Sequence, residues 1–222
     1  MPRTIRPTAL LLLVILLLTA CEQAGYETGN GPYSLLQADF VEAPVGSDGR
    51  LSSVLTDDGD SLLLTQPYLP QWQAKADTTY RALLYYNKVE ARAEVVSCSL
   101  VPTAGILPTD SLKKPMMTDP VRLESVWMSR HRRYLNVGMY LKIGQTDDSD
   151  ALHHLGIVAD SIARRPDGKT VLCLRLYHDQ GGMPEYYSQR TFFSIPLQGI
   201  TTDSLQLGIN TYSGHVVRHF AL

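Results

Sequence analysis

One pattern governs this chain from Tyr33 onward: apolar side chains return at every second position, and no stretch carries a helical period. Residues 134–143 show it most cleanly. Leu135, Val137, Met139, Leu141 and Ile143 share one face, and Tyr134, Asn136, Gly138, Tyr140 and Lys142 share the other. Successive side chains of a strand point to opposite faces, so such a run suits a sheet with one buried side and not a helix. The expected class is all-β.

Two groups of candidate strands flank a stretch punctuated by Pro102, Pro108, Pro115 and Pro120. In the first group, Ala38, Phe40 and Glu42 oppose Asp39, Val41 and Ala43. Leu51–Leu55 and Leu62–Thr65 then flank the turn Thr56-Asp57-Asp58-Gly59-Asp60. Thr79 to Asn87 is β-branched and aromatic. Val89, Ala91, Ala93 and Val95 next oppose Lys88, Glu90, Arg92 and Glu94, after which the apolar phase slips to Val96, Cys98 and Leu100. A one-residue slip is the mark of a β-bulge, and bulges let a small sheet curl into a barrel.

In the second group, Leu155, Ile157 and Ala159 lead to the turn Arg165-Pro166-Asp167-Gly168-Lys169 and a return strand with Leu172, Leu174 and Leu176. Phe192–Leu197, Leu205–Thr211 and His215–Leu222 complete about seven short strands, the pattern of an antiparallel sandwich. The expected organisation is a barrel over 33–104, a linker over 105–119 with a brief turn at Leu112-Lys113-Lys114, and a sandwich over 120–222.

The first twenty residues have the build of an export signal: Arg3 and Arg6, an unbroken apolar run from Ala9 to Leu18, then Thr19 and Ala20. The run is too short for a spanning helix, which needs roughly 20 apolar residues. Leu18-Thr19-Ala20-Cys21 resembles the bacterial lipobox. That reading makes 1–20 a lipoprotein signal peptide, Cys21 the lipidated N-terminus, and the polar segment 21–32 a flexible tether. The expected location is the cell envelope, as an outer-membrane lipoprotein held to the membrane by its N-terminal lipid.

With Cys21 acylated, Cys98 and Cys173 remain. Cys98 alternates with apolar residues and is expected to face a core, Cys173 to face outward, which favours two free thiols over a bridge. The net charge of −2 becomes more negative once Arg3 and Arg6 leave with the signal, and nucleic-acid binding needs a basic face. His215 and His219 have a helical zinc spacing, but in a strand they stand roughly 13 Å apart. His153 and His154 are adjacent and would point to opposite faces. Asp147, Asp148 and Asp150 lack the Gly and distal Glu of a calcium loop. Glu90 and Glu94 alternate with Lys88 and Arg92 as a solvated face does, and no hydrolase or phosphate-loop motif occurs. No enzyme activity, metal or cofactor is expected.

Several of these stretches together resemble the NigD-like lipoproteins of the Bacteroidales. They are Leu18-Thr19-Ala20-Cys21, the Asp58-Gly59-Asp60 turn before Leu62-Leu63-Leu64, Thr79-Tyr80-Arg81-Ala82-Leu83-Leu84-Tyr85-Tyr86, Tyr134-Leu135-Asn136-Val137 and Thr191-Phe192-Phe193-Ser194-Ile195-Pro196-Leu197. A Gly often stands ahead of the Arg-containing strand in that family; here Ala76-Asp77-Thr78 takes its place. The resemblance implies a small OB-like barrel followed by an antiparallel β-sandwich, and the family's link to a bacteriocin gene cluster implies an immunity role.

A binding surface is expected on the stripe of Tyr134, Asn136, Tyr140 and Lys142, with Tyr186 and Tyr187 in the Gly181-Gly182-Met183-Pro184-Glu185 loop. Aromatics beside hydrogen-bonding groups suit a protein or glycan partner. The competing expectation packs Tyr134 and Tyr140 under a neighbouring loop or the barrel. The expected function is therefore non-catalytic binding of another macromolecule, as in bacteriocin immunity, with a cell-surface glycan or small-ligand module as the alternative.

Overall fold

The computed structural model describes residues 34–112 and 115–222. The signal, Cys21 and the tether lie outside the described residues, as do Lys113 and Lys114. Among the described residues no helix is long and apolar enough to cross a membrane.

Five strands close the barrel: β1 (Leu36–Val45), β2 (Leu51–Thr56), β3 (Ser61–Tyr68), β4 (Thr78–Val89) and β5 (Arg92–Leu100), in the order β1-β2-β3-β5-β4. β3 and β5 run parallel, and the pairs β1–β2, β2–β3 and β4–β5 are antiparallel. Closure leaves no exposed sheet edge, which an open five-stranded sheet would have to protect. Val41, Leu51, Val54, Ala82, Leu84 and Ala93 fill the interior.

The phase slip in β5 is a bulge. Tyr85 pairs with Ser97 and Tyr86 with Val95, so Val96 is the extra residue. Cys98 is buried after the slip, but Val96 and Leu100 are exposed, so the alternation that placed Cys98 inside was only partly right. The strand from Lys88 to Glu94 is interrupted: Val89 pairs with Arg92 across a two-residue turn, Glu90-Ala91. Glu90 takes a φ of 54° there without the Asn-Gly or Gly that usually marks such a turn. Asp77, in the Ala76-Asp77-Thr78 stretch ahead of β4, adopts a φ of 56°; Asp is one of the few side chains that tolerate that region.

The sandwich holds β6 (Ile106–Pro108), β7 (Arg122–Met128), β8 (Tyr134–Ile143), β9 (His154–Arg164), β10 (Thr170–Asp179), β11 (Tyr187–Pro196), β12 (Ser204–Thr211) and β13 (Gly214–Ala221). One sheet has the order β13-β12-β10-β9-β6 and the other β11-β8-β7. Most pairs are antiparallel, but β10–β12 and β6–β9 are parallel. Between the sheets lie Leu135, Val137, Met139, Ile157, Leu174, Ile195, Leu205 and Leu207. Each such side chain contributes about 1.5–3 kcal/mol through burial.

The stretch expected as a linker is bound into the sandwich. Ile106–Pro108 pairs with β9, and Thr109–Ser111 forms a short 3₁₀ turn. Just before it, Ser194 N–H donates to Pro102 O and Ala104 N–H to Ser194 O, both at 2.9 Å. Proline withholds a donor, but an edge strand needs donors on one side only, so Pro108 can sit in β6 at the sheet margin. Cys98 and Cys173 are free thiols. His215 and His219 lie in β13, an extended strand that keeps them apart.

Candidate functional site

The outer face of the three-stranded sheet is a grid of three rows. Registry places Trp127, Asn136 and Ser194 side by side, then Ser125, Gly138 and Phe192, then Arg122, Tyr140 and Arg190. Strand pleating sends these away from the apolar face that carries Leu135, Val137 and Met139. A bulge between Leu123 and Ser125 makes Glu124 the extra residue in β7.

The first row lies beneath the barrel. Arg81 of β4 is buried, its side chain only 1% exposed, and its Nη2 donates to Asp57 Oδ2 at 2.6 Å and to Asn136 Oδ1 at 3.0 Å. Arg81 Nε donates to Ser194 Oγ at 3.1 Å, and Ser194 Oγ donates onward to Asn136 Oδ1 at 2.7 Å. Asn136 Nδ2 donates to Asp57 Oδ2 at 2.8 Å, which closes the ring of contacts. A buried charge is tolerated only when it is paired and hydrogen-bonded, and here one barrel cation uses one barrel carboxylate and two sandwich side chains. Arg81 Nη1 lacks a hydrogen-bond partner among the described residues.

Aromatic faces complete the seat. The Arg81 guanidinium lies 4.2 Å from the Tyr134 ring centre and 5.4 Å from that of Phe40. Tyr134 Oη donates to Glu42 Oε1 at 2.9 Å, and burial together with that carboxylate pushes the phenol pKa up. The turn expected at Thr56–Asp60 supplies Asp57, and it also docks onto the sandwich: Arg130 N–H donates to Asp57 O at 3.1 Å. Gly59 takes a φ of 89° in this turn, and a Cβ there would collide with the His131 imidazole, which contacts Asp58 O at 3.1 Å.

Beside the buried row a cleft of about 410 Å³ opens between barrel and sandwich. Phe40, Trp127 and Phe192 meet edge to face within it, with ring centres 5.1, 5.4 and 6.4 Å apart. Gly138 makes room for this cluster, because a Cβ at that position would stand 2.8 Å from Phe192 Cε1 and 3.0 Å from Ser125 Oγ. At the mouth, Arg190 lies 4.6 Å over the Phe192 ring and forks onto Glu124, with Nε–Oε2 2.7 Å and Nη2–Oε1 2.5 Å. The Arg190 hydrogen bonds hold the Glu124 carboxyl below its ordinary range. The volume falls in the range of small-ligand pockets.

The expected binding stripe is divided by this arrangement. Asn136 is fully buried in the joint and Tyr134 half-buried under the barrel, so neither is free to meet a partner. The barrel covers the Tyr134 and Asn136 end of the stripe. Tyr140 is half-buried beneath Arg122, whose guanidinium lies 3.8 Å from its ring centre, and Lys142 is half-buried at the far end. Tyr186 and Tyr187 are well exposed, at 78% and 51%. Phe40, Arg81, Trp127, Arg190 and Phe192 were not among the expected site residues. Arg81 carried a signal, as a lone charge within the apolar and aromatic run Thr79–Tyr86. Among the described residues no group of three or more His, Cys, Asp or Glu could hold a metal ion.

Residues 105–221, more than half of the chain, match the NigD-like C-terminal β-sandwich domain. The chain belongs to the NigD-like family. Solved structures repeat its fold. A NigD-like immunity protein from Bacteroides caccae superposes with a TM-score of 0.64 at 22% identity, covering 83% of this chain and 96% of that one. A protein described as toxin-related, from Parabacteroides distasonis, gives 0.61 at 15% identity over 84% and 93%. A candidate lipoprotein from Bacteroides fragilis gives 0.60 at 12% over 83% and 96%. At these identities the likeness is one of fold. No curated protein matches the chain. Because both domains are covered, the NigD-like fold is the barrel and sandwich together, and the joint at Arg81 lies between them.

Proposed function

We propose that this NigD-like chain is a non-catalytic binding protein of the cell envelope, anchored at the outer membrane through acylated Cys21, and that it works by engaging another macromolecule. The observation that carries this reading is the cleft beside the Arg81 joint. Its aromatic cluster is preformed, and Asp57 of the Arg81 ion pair stands in its wall. Preorganisation lowers the entropic cost of binding. The charged groups around the joint are engaged with one another, Arg81 with Asp57 and Arg133 with Glu42 at 2.7 Å, which suits a structural role better than proton transfer.

Immunity to a bacteriocin-like toxin is the leading form of this function, in keeping with the immunity protein and the toxin-related protein that share the fold. A producing strain that loses the gene should become sensitive to the cognate toxin, and restoring the gene should restore survival. Sensitivity that stays unchanged across a toxin panel would sink the immunity reading. The second reading, a glycan or small-ligand module, draws on the same aromatic cluster, because Trp and Phe rings suit apolar sugar faces. Glycan-array binding that disappears with Trp127→Ala would favour it. The acidic net charge gives no support to a nucleic-acid partner.

A further inference from the structure

His153 and His178 lie outside the site described above and are linked to each other. His153 Nδ1 stands 3.0 Å from His178 Nε2. The two outer nitrogens each meet a backbone carbonyl: His153 Nε2 is 2.9 Å from Lys142 O, and His178 Nδ1 is 2.9 Å from Asp119 O. The ring centres are 5.2 Å apart and the planes differ by 22°. A separation that much longer than the N–N contact puts the rings edge to edge, nearly in one plane, so the inner lone pairs point at each other.

Counting protons decides what this arrangement is. Carbonyl oxygens only accept, so both outer nitrogens must carry hydrogen. Two neutral imidazoles have two protons between them, and placing both outside leaves two lone pairs opposed at 3.0 Å. A third proton, on the inner line, satisfies all three contacts and gives the pair one positive charge. We propose that His153 and His178 form a proton-binding site in which one shared proton clasps the two sheets of the sandwich together.

The surroundings accommodate that charge. The carboxylates of Asp119, on the segment leading into β7, and Asp179, in β10, both favour protonated His178. His154 of β9, the cross-strand partner of Asp179, is the neighbouring titratable group on that strand. Burial of His178 opposes the charge more strongly and holds its pKa below the ordinary histidine value, and the positive His153 adds to that effect. The shared proton is therefore taken up on the acid side, and a second is suppressed.

Losing the shared proton has a defined consequence. His178 is fully buried, and its backbone is tied to the 117–119 segment by His178 N–H to Met117 O and Asp119 N–H to His178 O. The half-buried His153 is the ring that can change tautomer, donating from Nδ1 to His178 and turning an unprotonated Nε2 toward Lys142 O. The contact to β8 then becomes repulsive. Two residues on, Gly144 packs against Pro184 and Tyr186, with a Cβ there only 2.7 Å from each. The proton state of the pair thus reaches the loop that carries the exposed Tyr186.

Nitrogen NMR on the full-length protein, labelled with ¹⁵N, tests this directly. The two imidazoles should take up protons in steps separated by more than about one pH unit. Between those steps, scalar coupling should connect His153 Nδ1 to His178 Nε2, and the Gly144 and Tyr186 amide signals should move with the first step. Titration of both rings in one step, or Gly144 and Tyr186 signals indifferent to it, overturns the proposal. In His153→Gln, a substitution at a half-buried position, His178 should titrate alone and the Gly144 and Tyr186 response should vanish. A response that persists in this variant overturns it equally.

Discussion

Arg81 and Asn136, 55 residues apart in sequence, are joined by a buried 3.0 Å hydrogen bond from guanidinium to side-chain amide, and both bind the same oxygen of Asp57. Barrel and sandwich are thereby fastened by a charge that neither domain could bury alone. Asp57→Ala leaves Arg81 buried without its counter-charge, which should cost about 3–5 kcal/mol. Chemical denaturation measures it, and a loss within the range of an exposed pair, about 0–1 kcal/mol, would contradict the joint.

Gly138 has no positive φ to explain it; its role is to let the Phe192 ring lie over the sheet. Gly138→Ala should destabilise by about 1–3 kcal/mol through overpacking. It should also change the fluorescence of the neighbouring Trp127. Adding Phe192→Leu should recover part of the stability, and the absence of any recovery would separate the glycine from the ring.

The Arg190–Glu124 pair is well exposed, with side chains 49% and 27% accessible, so removing it should leave the melting temperature nearly unchanged. Arg190→Glu should nevertheless impair protection or ligand binding if the cleft is the working surface. A variant that is stable and fully active in the toxin and glycan assays would move the working surface elsewhere.

Cys98 has its thiol pKa pushed by burial from 9.0 up to about 12. The unfolded chain ionises this thiol before the folded one does, so its contribution to stability is full below about pH 9 and declines as pH rises towards 12. Within that window the loss is about 1.4 kcal/mol per pH unit. Cys98→Ala should flatten the alkaline stability profile by that slope relative to the parent. Peptide mapping after brief alkylation should find the half-buried Cys173 modified ahead of Cys98.

Cys21→Ala should abolish metabolic labelling by a palmitate analogue and release the protein into the soluble fraction. Labelling that persists would exclude Cys21 as the acylated residue.

Local chemistry legible in the sequence accounts for most elements. Alternation over 134–143 gave β8 and its buried face, the Asp-Gly turn gave the β2–β3 connection, and the phase slip gave the bulge at Val96. The Glu90-Ala91 hairpin was hidden because no turn residue marks it and charges alternate straight through it. The edge strand β6 was hidden by its prolines, which weigh against strand structure everywhere except at a sheet margin.

What the sequence by itself determined is the all-β class and most strands with their inward faces, because each rests on neighbours within a few positions. Only the tertiary structure decided what the outward faces meet. Period-two patterning says that Asn136 and Tyr134 point away from the sandwich core, but it says nothing of a second domain seated on them. Whether a polar stripe is a surface or a joint depends on contacts between residues such as Arg81 and Asn136, whose distance in sequence no local pattern can bridge.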